Sequence, residues 1–265
     1  MSGTIGGIDL GVLYGFASSG GVSGGNPILA LTQAEQNQTK DIAAQAKTPE
    51  VQRDVAAFRK AVASAKDVKT LLANPAVQKV LLTANGLGDQ IGSTGLVTKA
   101  LTSNASDPKS LANQLSNKAW KSTAATYNFA TKGFTVIQNP KVLDTIANAY
   151  AEVSWRKSLD ATTPGLSDAL TFRTTVGNAK NVDDILGDPV LRRVVTTTLG
   201  IPREIANQTL GAQENAITSR VDIKQFKDKN FVETFAKRYL IETSLNASQA
   251  SSSGPVGLAA YGLVV

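Results

Sequence analysis

The chain has 265 residues, of which 42% are hydrophobic and 18% are charged, as is typical of a soluble globular protein with room for one large or two ordinary domains. It contains neither cysteine nor histidine, which excludes disulfides, thiolate zinc sites, cysteine nucleophiles and Ser-His-Asp triads. The net charge of +6 comes from thinly spread Lys and Arg, so the sequence favours a solvated, mildly cationic surface and predicts no nucleic-acid binding.

Residues 1–30 form a Gly/Ser-rich N-terminal segment that surrounds a short apolar patch, "IGGIDLGVLYGF". The segment has neither a basic start nor a continuous apolar core, so we do not expect a cleavable secretory signal. The mean hydropathy of the chain is −0.07 and no long apolar run occurs, so the sequence predicts no membrane span.

The middle of the chain has the period of amphipathic helices, and we predict an all-α fold. Apolar residues recur at steps of three and four from Val51 to Leu72, from Leu143 to Val153 and from Phe231 to Tyr239. The residues that we expect to be mostly buried are Phe58, Val62, Leu72, Val80, Tyr150, Phe172, Val176, Leu186, Val194 and Phe235. The same helical spacing indicates core positions for Trp120 and Trp155.

Helix starts are marked by a recurrent pair of residues. Asn or Asp precedes Pro at 74–75, 107–108, 139–140 and 188–189, where the acidic or amide side chain can accept from first-turn amides and Pro needs no donor. Gly86 and Gly200 fall where a chain leaving a helix must turn left-handed.

Three patterns could indicate chemistry, but each lacks the companions that the chemistry requires. "GLGDQIG" at 86–92 follows a helix and has the wrong last spacing for a dinucleotide loop. "SWRK" at 154–157 lacks the other elements of a penicillin-binding enzyme, and Asp183, Asp184 and Asp188 are better read as charge at helix N-termini. We therefore predict a protein that is not an enzyme, with no catalytic, cofactor-binding or metal-binding residues.

Two stretches of the chain are similar at an offset of 114 residues. Twelve identities occur in the 34 positions from 58 to 91, and the caps are in register. Further on, "QLSNKAW" at 114–120 resembles "QFKDKNF" at 225–231. We predict two pseudo-equivalent helical repeats, joined by a long helix, that superpose with Phe58 over Phe172 and Pro75 over Pro189. The predicted segments are repeat 1 at 48–130, a bridging helix at 140–160, repeat 2 at 163–242 and a C-terminal tail at 243–265.

We interpret the residues that match between the two stretches as packing residues first. Phe58 and Phe172 are expected to be core anchors, and Arg59 and Arg173 to pair with a carboxylate or with helix-end carbonyls. A binding site formed by the two arginines is the alternative.

The two ends of the chain are apolar and rich in Gly, which is unusual for an isolated globule. Such segments gain little by folding alone, so we expect them to contact a neighbouring subunit or partner. The alternative is that both tails cover the core of their own chain. The candidate interaction residues are Ile5, Ile8, Leu10, Leu13, Tyr14, Phe16, Val256, Leu258, Tyr261 and Leu263.

Over roughly residues 50–242 the sequence resembles an alphaproteobacterial helical family of unknown function, whose members are often encoded among flagellar genes. "LGDPVLRRVV" and the "LGIP" turn carry the most specific part of the resemblance. The resemblance implies a helical, flagellum-associated protein and supplies no catalytic residues. We expect a non-enzymatic structural or assembly protein of the flagellum or a related surface filament, with self-assembly or flagellar proteins as its partners, exported without a cleavable signal. The alternative is a cytoplasmic helical adaptor or export chaperone.

Overall fold

The computed structural model describes residues 4–5, 8–9 and 26–252, and describes side chains from residue 26 to residue 247. Near the N-terminus two antiparallel strands, β1 (Thr4–Ile5) and β2 (Ile8–Asp9), pair with Ile5 opposite Ile8. From residue 26 to residue 252 the regular elements are all helical, which confirms the predicted all-α fold.

Fourteen α-helices lie in the described part of the chain. Those before residue 160 are α1 (Pro27–Gln45), α2 (Pro49–Ser64), α3 (Val68–Ala73), α4 (Pro75–Val77), α5 (Thr94–Leu101), α6 (Leu111–Gln114), α7 (Ala119–Tyr127), α8 (Phe129–Lys132) and α9 (Pro140–Leu159). Those after it are α10 (Leu166–Thr175), α11 (Val182–Leu186), α12 (Pro189–Thr198), α13 (Leu210–Thr218) and α14 (Lys229–Ser252). A π-helical segment, Gln78–Leu82, continues α4, and 3-10 turns cover Gly88–Gln90, Val176–Asn178, Arg203–Asn207 and Ile223–Lys227.

Three of the four predicted Asn/Asp-Pro helix starts are confirmed. The side chains of Asn74, Asn139 and Asp188 each accept a hydrogen bond from a first-turn amide. The prediction at Asp107 is wrong. Its carboxylate accepts from the amide of Lys109 and closes a turn, and the chain is extended at Ser110 before α6 begins.

The predicted left-handed glycines are also confirmed. Gly86 has φ of 73° and Gly200 has φ of 62°, a region that favours glycine. Just beyond them, the amide of Leu87 donates to the carbonyl of Leu82 and that of Ile201 to the carbonyl of Thr196, both at 2.8 Å. The two helices therefore end in the same way at an offset of 114 residues.

The core consists of two clusters of buried side chains. The first is built from α2 to α5, from α7 and α8 and from most of α9, and the second from α1, the end of α9 and α10 to α14. All ten residues predicted to be buried are at most 7% exposed, and Trp120 and Trp155 are buried as expected. We call the two parts of the body the first half and the second half.

Helix α9 contributes to both halves. Ile146, Tyr150 and Ala151 lie in the first cluster, and Trp155, one turn further on, lies in the second. The helix therefore joins the two cores through packing as well as through the chain. The repeat boundaries drawn from the sequence stay predictions.

Candidate interaction site

The ten residues predicted to mediate interaction lie at the two ends of the chain. Ile5 and Ile8 lie in the paired strands β1 and β2, whose side chains are not described. Leu10, Leu13, Tyr14, Phe16, Val256, Leu258, Tyr261 and Leu263 lie outside the described residues. The contacts that reveal a candidate site come from the helical body.

In the first half, one carboxylate joins three helical segments. The Asp54 carboxylate on α2 accepts from the Tyr150 hydroxyl on α9 at 2.6 Å and pairs with Lys79 Nζ at 2.7 Å. Burial alone would raise the pKa of the Asp54 carboxyl, but the hydrogen bonds from Lys79 and Tyr150 outweigh burial and hold the pKa below its usual value. Burial, followed by the bond to Asp54, raises the pKa of Tyr150, so the hydroxyl stays a donor.

The second half contains the same arrangement. Asp168 on α10 accepts from the Tyr239 hydroxyl on α14 at 3.0 Å and from Arg193 Nη2 at 2.8 Å. Burial, then the charge of Asp168, raises the pKa of Tyr239, and the hydrogen bond to Asp168 raises the pKa of the Arg193 guanidinium. Asp168 and Arg193 lie 114 residues after Asp54 and Lys79, so we call each set a Tyr–Asp–cation triad.

The two tyrosines show which helices correspond. Tyr150 and Tyr239 are 89 residues apart, and at this offset "DTIANAY" (144–150) aligns with "ETFAKRY" (233–239). The caps also match, because Asn139 accepts from the amide two residues on, as Asp228 does. Helix α9 of the first half therefore makes tyrosine and cap contacts equivalent to those of α14 in the second half. These contacts do not support the sequence pairing of residues 114–120 with residues 225–231.

The two arginines also have equivalent partners. Arg59 Nη2 lies 2.7 Å from Asp144, and Arg173 Nη2 lies 4.0 Å from Glu233, the residue aligned with Asp144. The arginines were predicted to pair with a carboxylate or with helix-end carbonyls, and the carboxylate pairing is confirmed for both. Arg173 has a second partner, Glu35 on α1, and for Arg59 the ion pairs within the described residues include only Asp144.

That extra partner marks a difference between the halves. In the second half, α1 packs against both α10 and α14, and its Leu31 and Ala34 are buried. Leu166 and Leu170 of α10, which precede Arg173 by seven and three residues, are buried as well. The groove between α10 and α14 is therefore covered by α1.

In the first half, the corresponding groove between α2 and α9 is open. It has a volume of about 310 Å³. Gln52 and Ala56, which correspond to Leu166 and Leu170, are exposed. The lining residues are Ala46, Val51, Gln52, Val55, Ala56, Arg59, Ala147 and Asn148. We call this surface the open groove.

A larger groove of about 510 Å³ lies where the halves meet. Most of the residues that line it are polar, and Lys118 of the first half lies 3.7 Å from Asp184 of the second half. Gly187 packs at this junction so closely that an added Cβ would overlap the carbonyl oxygen of Ser116. The position aligned with Gly187 in the first half is Ala73.

The Asp cluster and the Gly-rich loop have structural roles. Asp183 and Asp184 lie in the first turn of α11, and Asp188 caps α12, as predicted. The amide of Gly92, in the loop that resembles a dinucleotide motif, donates to Gln78 Oε1 at 3.0 Å. Among the residues with described side chains, no group of three or more Asp or Glu side chains is placed to hold a metal ion. No helix in the described part of the chain is long and apolar enough to cross a membrane.

Sequence reasoning missed the triads and the open groove. The triads could have been found by extending the 114-residue alignment back to Asp54 and by testing a second offset for the closing helices. At the 114-residue offset Gln52 and Ala56 align with Leu166 and Leu170, which hints at a difference in cover, but the sequence of α1 does not say which half α1 covers.

Comparison with known proteins places the chain in a family. A crystal structure of a protein from Agrobacterium tumefaciens is similar to this chain, with a TM-score of 0.68 and 23% sequence identity over 86% of this chain and 98% of that one. At this identity the likeness shows a shared fold alone. No curated protein matches. A family model described as "protein of unknown function (DUF1217)" matches residues 84–232, more than half of the chain, and the chain therefore belongs to that family.

Proposed function

We propose that this protein is a non-enzymatic structural or assembly protein that binds other proteins and is associated with the bacterial flagellum or a related surface filament. The observation that carries the binding role is the open groove. Its counterpart in the second half is covered by a helix, whereas the open groove leaves Ala56 and Gln52 exposed beside Arg59. Exposed grooves between helices are a common way of binding a partner helix.

The flagellar association is supported by the sequence resemblance. "LGDPVLRRVV" and the "LGIP" turn are the residues on which this resemblance is based. The apolar ends of the chain, with the ten candidate interaction residues, would supply further contacts for assembly. A cytoplasmic adaptor or export chaperone is the alternative role, and it would use the same groove.

Fractionation of cells that produce the full chain separates the two roles. We expect the protein in sheared surface material, together with the filament. Recovery only in the cytosol would contradict the filament role and favour the adaptor or chaperone. A cytosolic enzyme followed in the same fractions controls for lysis.

Two truncations test the role of the ends. Chains that begin at Asn26 or end at Asn246 keep the residues of both core clusters, so we expect nearly unchanged melting temperatures and a loss of self-assembly or partner binding. Sedimentation and thermal unfolding of the same samples measure both effects. Much lower melting temperatures would show that the tails stabilise the body, and normal assembly would show that they are dispensable.

A further inference from the structure

We infer that the open groove binds an amphipathic α-helix of a partner protein, and that this helix presents small or apolar residues to the groove and a carboxylate to Arg59. The inference rests on the proposed binding role and names the chemistry of the partner. It follows from a comparison with the covered groove of the second half.

Helix α1 shows what such a partner helix looks like. Leu31, Ala34 and Glu35 are spaced by three and four residues, so they share one face of α1. Leu31 and Ala34 are buried, and the Glu35 carboxylate pairs with Arg173. One helix face therefore combines an apolar stripe with an acid that binds the arginine of the groove.

The open groove retains the features that α1 uses. Arg59 occupies the position of Arg173, and Ala147 on α9 occupies that of Ala236 on α14. Ala147 is half-buried, whereas Ala236 is fully buried. The apolar surface for contact is therefore present and lacks its cover.

The open groove has room for α1 and leaves extra space for a larger side chain at one point. Ala56 stands where the second half has Leu170, and its shorter side chain leaves room above the groove floor. A partner helix with a large apolar side chain at this point would restore the lost contacts. We expect the partner to place Leu, Met or Phe there.

Arg59 is the charged side chain of the groove lining, and it can bind a carboxylate of a partner helix. The Arg59 side chain is 39% exposed although it pairs with Asp144, so donor groups remain accessible. Arg173 shows that one guanidinium can face two carboxylates, since it lies near both Glu35 and Glu233. The chain as a whole carries a net charge of +6, which favours the approach of an acidic partner.

Segments of the same chain fit this chemistry less well. Helix α1 of a second copy has its apolar face buried in its own second half. Residues 253–265 contain no acidic side chain, and the one acidic residue of residues 1–25 is Asp9 in β2. A helix from a separate protein is therefore the occupant that the groove favours.

The test uses a labelled peptide with the sequence of residues 27–45 as a surrogate helix, titrated with the full-length protein and followed by fluorescence anisotropy. We expect saturable binding that weakens at least about tenfold when the groove carries Ala56→Arg or Arg59→Glu. Lys60→Glu is the matched control, because it makes the same charge change on an exposed position next to Arg59. Circular dichroism melts of all variants check that the body remains folded.

A charge exchange gives the sharpest result. A peptide with Glu35→Lys should lose affinity for the wild-type protein and regain it for Arg59→Glu. No binding at all, or binding that is unchanged by Ala56→Arg and Arg59→Glu, would overturn the inference. Binding that is unchanged by both substitutions would mean that the peptide replaces α1 in the groove of the second half.

The outcome is separable from that of the proposed function. Peptide binding at Arg59 in a protein found only in the cytosol would support the groove and reject the filament role. A protein found in the filament whose open groove binds no helix would do the reverse.

Discussion

The first and second halves are built around the same contacts, but they differ in the helix that covers the groove and in the length of the connection to the closing helix. Each half has a Tyr–Asp–cation triad, an arginine paired with the closing helix and a helix that ends at a left-handed glycine. The left-handed glycines of the two halves are 114 residues apart, whereas the tyrosines of the closing helices are 89 residues apart. The connection to the closing helix is therefore 25 residues longer in the first half. The shared contacts hold each set of helices together, and the differences produce the open groove and the junction between the halves.

The largest expected effect comes from the two core phenylalanines. Phe58→Ala and Phe172→Ala should each lower the free energy of unfolding by about 3–5 kcal/mol, because both side chains are fully buried. Phe172 should lose more, since its ring stacks on Phe235 at 5.4 Å and meets Phe226 edge-on at 5.6 Å. Urea unfolding of both variants measures the difference.

A loss below about 1 kcal/mol in either variant would place that phenylalanine outside a closed core and break the comparison. Exposed Lys60→Ala, which removes a side chain from the same helix as Phe58, provides the baseline.

The junction of the halves gives the next effect. Gly187→Ala should lower the free energy of unfolding by about 1–3 kcal/mol, because the new Cβ overlaps the Ser116 carbonyl and the chain must shift to accommodate it. At the aligned position the reverse change, Ala73→Gly, should cost only about 0.5–1 kcal/mol, from the backbone freedom of glycine in a helix. Thermal unfolding of the two variants compares the sites.

Equal losses at positions 187 and 73 would indicate that the Ser116 segment moves freely. The close packing at Gly187 would then have no part in holding the halves together.

The sequence predicted those parts of the fold that local forces decide. The cap of Asn74, the turn at Gly86 and the burial of Phe58 depend on the immediate chain and on helical period, and all three are confirmed. Asp107 failed because an Asn/Asp-Pro pair can start a turn as readily as a helix.

Local sequence patterns did not predict the long-range pairs of residues. Asp54 and Tyr150 are 96 residues apart, and no single offset aligns both of them with the second half. The open groove exists because α1 packs on the second half, and the sequence of α1 does not say which half it covers. The superposition of the two halves stays a prediction.

The two triads should give effects of equal size. Tyr150→Phe and Tyr239→Phe each remove a hydrogen bond to a carboxylate from a buried hydroxyl and should cost about 1.5–3 kcal/mol. Tyr127→Phe is the matched control, because its hydroxyl bonds the neutral amide of Asn85 and should cost only about 0.5–1.5 kcal/mol. Chemical unfolding measures all three, and a clear inequality between Tyr150 and Tyr239 would count against equivalent triads.

The smallest expected effect is a dependence on pH that the Asp54 triad adds to the stability of the first half. The folded-state pKa of Asp54 lies below its usual value, because the hydrogen bonds from Lys79 and Tyr150 outweigh burial. As the pH falls, the unfolded chain therefore binds its proton first. The stabilisation from Asp54 is complete above the unfolded pKa, near 3.9, and is lost as the pH falls through the folded pKa. Asp54→Asn keeps the shape of the side chain and removes its charge, so its melting temperature should lie below that of the wild type near neutral pH. This difference should narrow below about pH 4.

Asp160 supplies a control of opposite sign, since burial raises its pKa and ionisation there works against folding. Melting temperatures of the wild type, Asp54→Asn and Asp160→Asn over the acidic range test both signs. A difference between the wild type and Asp54→Asn that stays constant down to the lowest pH would mean that the Asp54 charge does not stabilise the first half.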